Sequence, residues 1–252
     1  MRRPWLAIPS GGLSSAGKRR VRMLALLAVR DGMEFLPGWF ANVAPQVDGI
    51  VAFDDGSTDG SADFLAGRSE ILELLGNPPE RPRWDEMGNH RRLVDVALRQ
   101  GAEWALCVDA DERLEREFRP RAERVIRRGR LLRCSAFRVH LRELWGSADR
   151  YRSDGIWGRK SIPRLFRLRP DHRFDTSSLH GAKTPLQERP RLADLVVYHL
   201  GMLTLEQRER RQARYETADP DGYWQSVGYR YLTDERELRI EQVPPRRAWL
   251  ED

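Results

Sequence analysis

Short apolar runs alternate with amphipathic segments through the first 115 residues. The runs span residues 21–29, 49–53, 70–75 and 103–108. Their length and continuous apolar character are typical of buried strands. The segments that begin near residues 35, 61 and 86 instead place apolar side chains at helical spacing. This alternation predicts an α/β fold, with a mainly parallel sheet flanked by helices.

The pattern is less regular after residue 115. Residues 118–130 are strongly basic and predict an exposed helix or connecting segment. Three further strands are predicted over residues 131–144, 162–168 and 195–198, the first of them crossing the sheet edge. Thr204-Leu205-Glu206-Gln207 has the spacing of a capping box, so a helix should begin there and end at Asp219-Pro220.

Acidic residues follow two of the predicted strands directly. The run 103–108 opens onto Asp109-Ala110-Asp111-Glu112. Open α/β sheets bind their ligands at the carboxyl ends of strands, so we expect these acids to line a crevice. Asp109 and Asp111 are two positions apart and point the same way off an extended backbone, where both could face one divalent cation and its phosphates. Taken alone, such a triplet is more often a solvated strand end.

The second acidic stretch is Asp54-Asp55-Gly56-Ser57-Thr58-Asp59-Gly60-Ser61. Its small residues permit a tight turn, and its hydroxyl and carboxyl groups can cap the following helix. Carboxylates at this position can also accept hydrogen bonds from a nucleoside. A capped turn and a nucleoside contact are both consistent with the stretch by itself.

Composition and charge limit the classes of function. The chain has 252 residues, 40% hydrophobic and 33% charged, with a net charge of +6. Its basic residues are almost all arginine and are interleaved with acids, and no nucleic-acid-binding motif is present, so a phosphate-bearing ligand is favoured over nucleic acid. No apolar run approaches the roughly 20 residues of a membrane-spanning helix, and no secretory signal is evident. We therefore expect a cytoplasmic protein without a transmembrane segment, which leaves room for peripheral membrane contact.

Three ordered elements within residues 21–115 resemble a family 2 glycosyltransferase of the GT-A fold. They are the Asp54–Ser61 stretch, a helix carrying Asn89 and Arg91, and the apolar strand that opens onto Asp109-Ala110-Asp111-Glu112. The first strand ends in Val29-Arg30-Asp31-Gly32, which is closer to a divergent branch of the family. The resemblance implies metal-dependent transfer of a sugar, with inversion, from a nucleotide-diphosphate-sugar donor to a hydroxyl acceptor.

The resemblance also implies roles for individual residues. The residues implied to contact the nucleotide sugar are Ala28, Arg30, Asp31, Asp55, Arg91, Asp109 and Ala110. Those implied to hold Mn²⁺ or Mg²⁺ are Asp109, Asp111 and His199. Imidazole is an ordinary ligand for Mn²⁺. A satisfied, half-buried histidine is the alternative interpretation of His199.

Inverting transfer needs a general base within hydrogen-bond reach of the acceptor hydroxyl. Asp154, in a glycine-containing turn, is our first choice, ahead of Asp175 and Asp171. Each of these acids is by itself more often a turn residue. His180 is the other catalytic candidate, since it could line the acceptor site or replace His199 as a metal ligand.

On this interpretation the chain divides into four parts. They are a flexible basic arm (1–20), a nucleotide-sugar-binding half (21–115), an acceptor and catalytic half (116–200) and a C-terminal helical extension (201–252). The acceptor would be a saccharide, a lipid-linked molecule or a small natural product. Two rival functions are a sugar nucleotidyltransferase and a non-catalytic binder of nucleic acid or an anionic surface. The first usually has a glycine-rich loop after its first strand, which is absent here.

Overall fold

The computed structural model of the chain describes residues 22–80, 85–177, 181–223 and 225–249. The strands are β1 Met23–Val29, β2 Ile50–Asp54, β3 Ile71–Gly76, β4 Trp104–Cys107, β5 Glu112–Leu114, β6 Ala136–Glu143, β7 Arg150–Arg152, β8 Ser161–Arg167, β9 Arg191–His199 and β10 Ile240–Gln242. The α-helices are α1 Leu36–Val43, α2 Ser61–Ala66, α3 Glu86–Arg99, α4 Phe118–Leu131 and α5 Leu205–Ala218. The predicted N-terminal arm lies outside the described residues.

Eight strands form one sheet in the order β3-β2-β1-β4-β8-β6-β9-β5. β3, β2, β1 and β4 are mutually parallel, as the alternation predicted. Helices α1, α2 and α4 pack on one face of the sheet and α3 on the other. Because both faces are covered, β1 and β2 are buried along their length, which explains why they are continuous apolar runs.

The second half of the sheet is mixed. β8 pairs antiparallel with both β4 and β6, and β6 runs parallel to β9. The prediction that residues 131–144 form a strand crossing the sheet edge is wrong in its placement, because β6 lies inside the sheet between β8 and β9. The edge position belongs to β5, a three-residue strand that the sequence did not predict and that pairs antiparallel with β9. β5 is too short to show a hydrophobic period.

Two helices refine the sequence-based picture. α4 is not simply exposed, because Phe118, Ala122 and Ile126 on one face are buried against the sheet. α5 begins at Thr204 with the predicted capping box, in which Thr204 accepts a hydrogen bond from the Gln207 backbone and the Gln207 side chain accepts one from Thr204. The chain after α5 is only partly helical, since β10 pairs antiparallel with β7. No helix within the described ranges has the length and apolar character needed to cross a bilayer.

Candidate active site

A cleft of about 980 Å³ opens at the carboxyl ends of β1, β2 and β4. Eight of the predicted site residues line it: Ala28, Arg30, Asp31, Asp55, Asp109, Ala110, Asp111 and His199. The strand order brings them together, because β1 lies between β2 and β4 and all three run the same way. His199 arrives from the far part of the sheet, at the end of β9 and opposite Glu112 of β5.

The polar residues of the Asp54–Ser61 stretch join two loops at the mouth of the cleft. The Asp31 backbone N–H donates to Ser57 Oγ (2.9 Å), and the Thr58 N–H donates back to Asp31 Oδ1 (2.7 Å). Ser61 Oγ accepts from the Gly32 N–H at 3.0 Å. Much of the predicted nucleotide motif therefore fixes the backbone after β1, and one oxygen of Asp31 is used in that framework.

Asp55 differs from these residues, because half of its carboxylate is uncommitted. Its side chain is 5% exposed, and one oxygen accepts from Asn77 Nδ2 at 2.6 Å. The other oxygen is buried with no hydrogen-bond partner among the described residues. A buried acceptor without a partner costs free energy. The described residues therefore leave one acceptor of the Asp55 carboxylate unsatisfied.

The turn after Asp55 requires glycine. Gly56 has φ +77°, and a Cβ there would lie 2.7 Å from the Pro78 carbonyl oxygen. Any other residue would be strained and would collide with the neighbouring backbone. Gly56 therefore allows the Pro78 segment to approach closely behind Asp55.

Asp109 sits between two cationic side chains. Its oxygens accept from Arg164 Nη2 (2.6 Å) and Lys183 Nζ (2.7 Å), and Arg164 also bonds the buried Glu112. Burial alone would raise the pKa of Asp109, but Arg164 and Lys183 outweigh it and hold that pKa well below its ordinary value. Burial raises the pKa of Glu112. Asp109 is therefore a fixed negative charge with its own protein counter-ions.

Asp111 faces a histidine that a second carboxylate holds. His199 Nε2 lies 2.9 Å from Asp111 Oδ2, and His199 Nδ1 bonds Glu143, which is 1% exposed and also bonds Lys160. Burial lowers the pKa of His199, but Asp111 and Glu143 outweigh it and raise the pKa to about 10. Arg211 of α5 adds a further cation, 3.4 Å from Asp111 Oδ2.

Two donor atoms face each other beside the cleft, Asp111 Oδ2 and His199 Nε2 at 2.9 Å, and Arg211 Nη1 lies 3.0 Å from the same nitrogen. Within the described residues, no group of three or more His, Cys, Asp or Glu side chains is arranged to hold a metal ion. Asp111 and His199 nevertheless offer a carboxylate oxygen and an imidazole nitrogen side by side. His199 has its other nitrogen on a carboxylate, which is how proteins orient metal-binding histidines. Metal binding at Nε2 would displace the proton that it now shares with Asp111.

Three predicted site residues are not brought to the cleft by the described structure. Asp154 lines a separate cleft of about 780 Å³, where it accepts two hydrogen bonds from Arg152 (2.8 and 2.9 Å). The structure therefore places Asp154 outside the central cleft, and its role as the general base stays a prediction. The Arg91 guanidinium donates to the Asp175 carbonyl at 2.6 Å, so it anchors a loop. His180 lies outside the described residues.

The sequence analysis missed several charged residues that line the cleft, among them Glu143, Lys160, Arg164, Lys183 and Arg211. They come from β6, β8, α5 and two loops, all far along the chain from Asp109. One compositional signal was available. The chain has only three lysines, and two of them, Lys160 and Lys183, form ion pairs in this cleft. Lysine differs from arginine in carrying a compact cation on a flexible stem.

Comparisons with known proteins identify the fold. No protein-family model matches the sequence, and no curated protein matches it. The crystal structure of S. aureus TarS matches 79% of this chain at 14% identity with a TM-score of 0.50. The mannosyltransferase PcManGT from Pyrobaculum calidifontis, in complex with GDP-Man and Mn²⁺, matches 81% of this chain at 13% identity with a TM-score of 0.49. A 4-diphosphocytidyl-2C-methyl-D-erythritol synthase matches 70% of this chain at 16% identity with a TM-score of 0.38.

The TarS match and the strand order together define an α/β fold of the GT-A type, which confirms the predicted fold class. The matches cover 40% of the TarS chain, 66% of the PcManGT chain and 90% of the synthase chain. This chain therefore spans well under half of the TarS length.

Proposed function

We propose that this protein is a metal-dependent glycosyltransferase that moves a sugar from a nucleotide-diphosphate sugar to a hydroxyl acceptor, with inversion. The observation that carries the proposal is the placement of Asp55, Asp109 and Asp111 in one cleft of a GT-A fold, with His199 beside Asp111. One cleft thus offers a buried carboxylate oxygen for a nucleoside and, next to it, donor atoms for a cation on a diphosphate.

In the proposed donor complex, Asp55 accepts a hydrogen bond from the nucleoside through its unpartnered oxygen. Arg164 and Lys183 keep Asp109 ionised and fixed at the end of β4. Lys183 also lies 3.2 Å from Glu86, so its position is set from two sides. These contacts preorganise the cleft, which limits the free energy spent on reorganisation when the donor binds.

Asp111 and His199 would hold the cation, Mn²⁺ or Mg²⁺. When bound, a divalent cation neutralises the charge that develops on a departing diphosphate. Glu143 fixes the His199 ring from the opposite side. The guanidinium of Arg211, from α5, adds its positive charge beside Asp111. The cleft thereby concentrates positive charge where the leaving group would carry its negative charge.

For the general base or the group that orients the acceptor, we retain His180 as the candidate. The residues that directly follow it, Gly181, Ala182 and Lys183, line the cleft. Asp154 lies in a different cleft, and neither Asp175 nor Asp171 lines the central one, so we prefer His180 among the candidates from the sequence analysis. Imidazole has its ordinary pKa near neutrality, which suits proton removal from a hydroxyl.

The rival functions are less well supported by the site. A nucleotidyltransferase would bind a nucleoside triphosphate, and the tight turn after β1, with Asp31 and Gly32 hydrogen-bonded to Ser57 and Ser61, is not a glycine-rich phosphate loop. A non-catalytic binder of anions would have no need for Asp109 and Asp111 in a cleft already lined with cations.

A thermal-unfolding panel tests the proposal. UDP, GDP, CDP and dTDP are each added with and without Mn²⁺ to the wild type, Asp111→Ala and Asp154→Asn. We expect one diphosphate to raise the melting temperature only with Mn²⁺, because a ligand that binds the folded state alone stabilises it. Asp111→Ala should abolish this ligand-induced rise, and Asp154→Asn, a carboxylate change outside the cleft, should retain it.

The same panel then separates donor binding from transfer. His180→Asn should keep the ligand-induced rise and lose turnover once an acceptor is identified. If no nucleoside diphosphate shifts the wild type under any condition, the glycosyltransferase proposal fails. A rise of equal size in Asp111→Ala would show that binding does not use this carboxylate.

A further inference from the structure

Two leucines are unusually exposed at the end of α4. Leu131 is 86% exposed and Leu132 is 61% exposed. The apolar face of α4 is made by Phe118, Ala122 and Ile126, so the core does not need these leucines. Exposing two adjacent large apolar side chains to water is unfavourable, and burying them in an apolar phase would lower the free energy.

These leucines lie at the end of the sheet opposite the cleft. The turn after α4 leads directly into β6, with the Cys134 N–H bonded to the Gly129 carbonyl (2.8 Å). β6 begins there at Ala136 and ends at Glu143, which lines the cleft. Eight strand residues span roughly 25 Å, so the leucines are about one strand length from the active site.

Exposed arginines surround the two leucines. They are Arg124, Arg127, Arg128, Arg130 and Arg133. Within the part of the chain that the structure describes, Arg124, Arg128 and Arg133 have no side-chain ion pair or hydrogen bond. The other two have loose partners, since Arg127 lies 3.7 Å from Glu123 and Arg130 lies 3.4 Å from Glu103. The helix therefore presents uncompensated positive charge to solvent.

Segments next to the α4 turn add further positive charge to this end of the sheet. The Arg167 N–H donates to the Ser135 carbonyl (2.7 Å), which brings the end of β8 beside the α4 turn. The described chain also begins at this end, where Arg22 leads into β1 and its carbonyl accepts from the Glu103 N–H.

We propose that the distal surface, defined as Arg124, Arg127, Arg128 and residues 130–133, docks on a bilayer that contains anionic lipids. Arginines attract lipid phosphates, and the two leucines enter the headgroup boundary. Nucleic acid would use the arginines and leave both leucines without a role. Membrane docking uses both features of the surface.

Docking in this way has a consequence for the cleft. The distal surface and the cleft lie at opposite ends of β6, so a docked molecule holds its cleft toward the aqueous side. The acceptor would then be reached from solution rather than from the headgroups beneath the protein. The inference does not depend on the proposed chemistry, because vesicle binding is measured without donor or acceptor.

Vesicle flotation of the full chain tests the inference. The vesicles are phosphatidylcholine alone, or phosphatidylcholine with one part in three of phosphatidylglycerol. We expect the wild type to bind only the anionic vesicles, and less tightly as salt is raised. R128Q/R133Q should weaken binding on the order of 25-fold, from about 5-fold for each arginine. L131Q/L132Q should weaken it on the order of 10-fold.

R210Q/R236Q is the charge-matched control, because Arg210 and Arg236 are exposed arginines outside the distal surface. It should bind as the wild type does, and thermal unfolding should show all variants folded. No binding to anionic vesicles, or wild-type binding by R128Q/R133Q, would overturn the proposal. Binding to duplex DNA or RNA as tight as to vesicles, with L131Q/L132Q unaffected in both, would also overturn it in favour of a nucleic-acid surface.

Discussion

Glu143 shows how a single buried side chain can set the chemistry of another. It is 1% exposed, and its two oxygens bond His199 and Lys160. Burial would raise the pKa of Glu143, but His199 and Lys160 outweigh it and keep the carboxyl ionised. In proteins, an ionised partner fixes the ring of a metal-binding histidine and makes the opposite ring nitrogen a more basic metal ligand.

We therefore predict that Glu143→Gln weakens Mn²⁺ binding by roughly 10-fold to 100-fold, because the amide cannot supply the charge of the carboxylate. Paramagnetic resonance of free Mn²⁺ in a titration measures this directly, without turnover. Glu206→Gln is the matched control, since Glu206 is a solvent-exposed residue of α5. Equal Mn²⁺ affinity in Glu143→Gln and the wild type would contradict the orienting role.

Helix α5 is the element that connects the C-terminal region to the cleft. It begins with a reciprocal capping box at Thr204 and Gln207, and two turns later it places Arg211 beside Asp111. Its exposed face is dominated by charged residues, with only Arg208 fully buried. With little apolar burial of its own, this helix depends more than α3 or α4 on its cap.

Thr204→Ala should accordingly lower the free energy of unfolding by about 1 kcal/mol. For a chain of this length the melting temperature should fall by roughly 2–4 °C. Thr217→Ala serves as the control, because Thr217 lies near the other end of α5 and bonds only the Ala213 carbonyl. A change in the control as large as in Thr204→Ala would show that the cap itself is not responsible.

At the scale of the whole molecule, a buried histidine couples stability to pH. His90 is 4% exposed and packs edge-on against Phe166 and Phe174 on the α3 side of the sheet. Burial, helped by the positive charge of Lys183, lowers the pKa of His90 to about 3. In the unfolded chain the same group titrates near 6.5.

Between these two pKa values the unfolded chain binds a proton at His90 and the folded chain does not. The free energy of unfolding should therefore fall as pH drops below about 6.5, by up to about 1.4 kcal/mol per pH unit from this residue. Urea unfolding from pH 7 to pH 4 measures the slope, and His90→Gln should flatten it. Identical slopes in the two proteins would mean that His90 does not titrate as its burial requires.

Local sequence pattern alone determined the alternating half of the fold. Apolar runs flanked by caps and glycines predicted β1 to β4 with α1 and α3, because a strand buried on both faces and an amphipathic helix each leave a short-range signature. The same pattern located Asp55, Asp109 and Asp111, since acids that end parallel strands must share one edge of the sheet. His199 came from the family resemblance instead, and the structure places it in the same cleft.

Only the tertiary structure decided which distant side chains meet those acids. Strand order placed β6 and β8 inside the sheet, and so brought Glu143 to His199 and Arg164 to Asp109. Those partners are 56 and 55 positions apart, and no periodicity records such a pairing. Asp154 shows the converse, because a turn sequence fixes a local conformation but not the cleft into which the turn folds. Local interactions along the chain determine the helices and strands, and the packing of the sheet determines which side chains meet at the site.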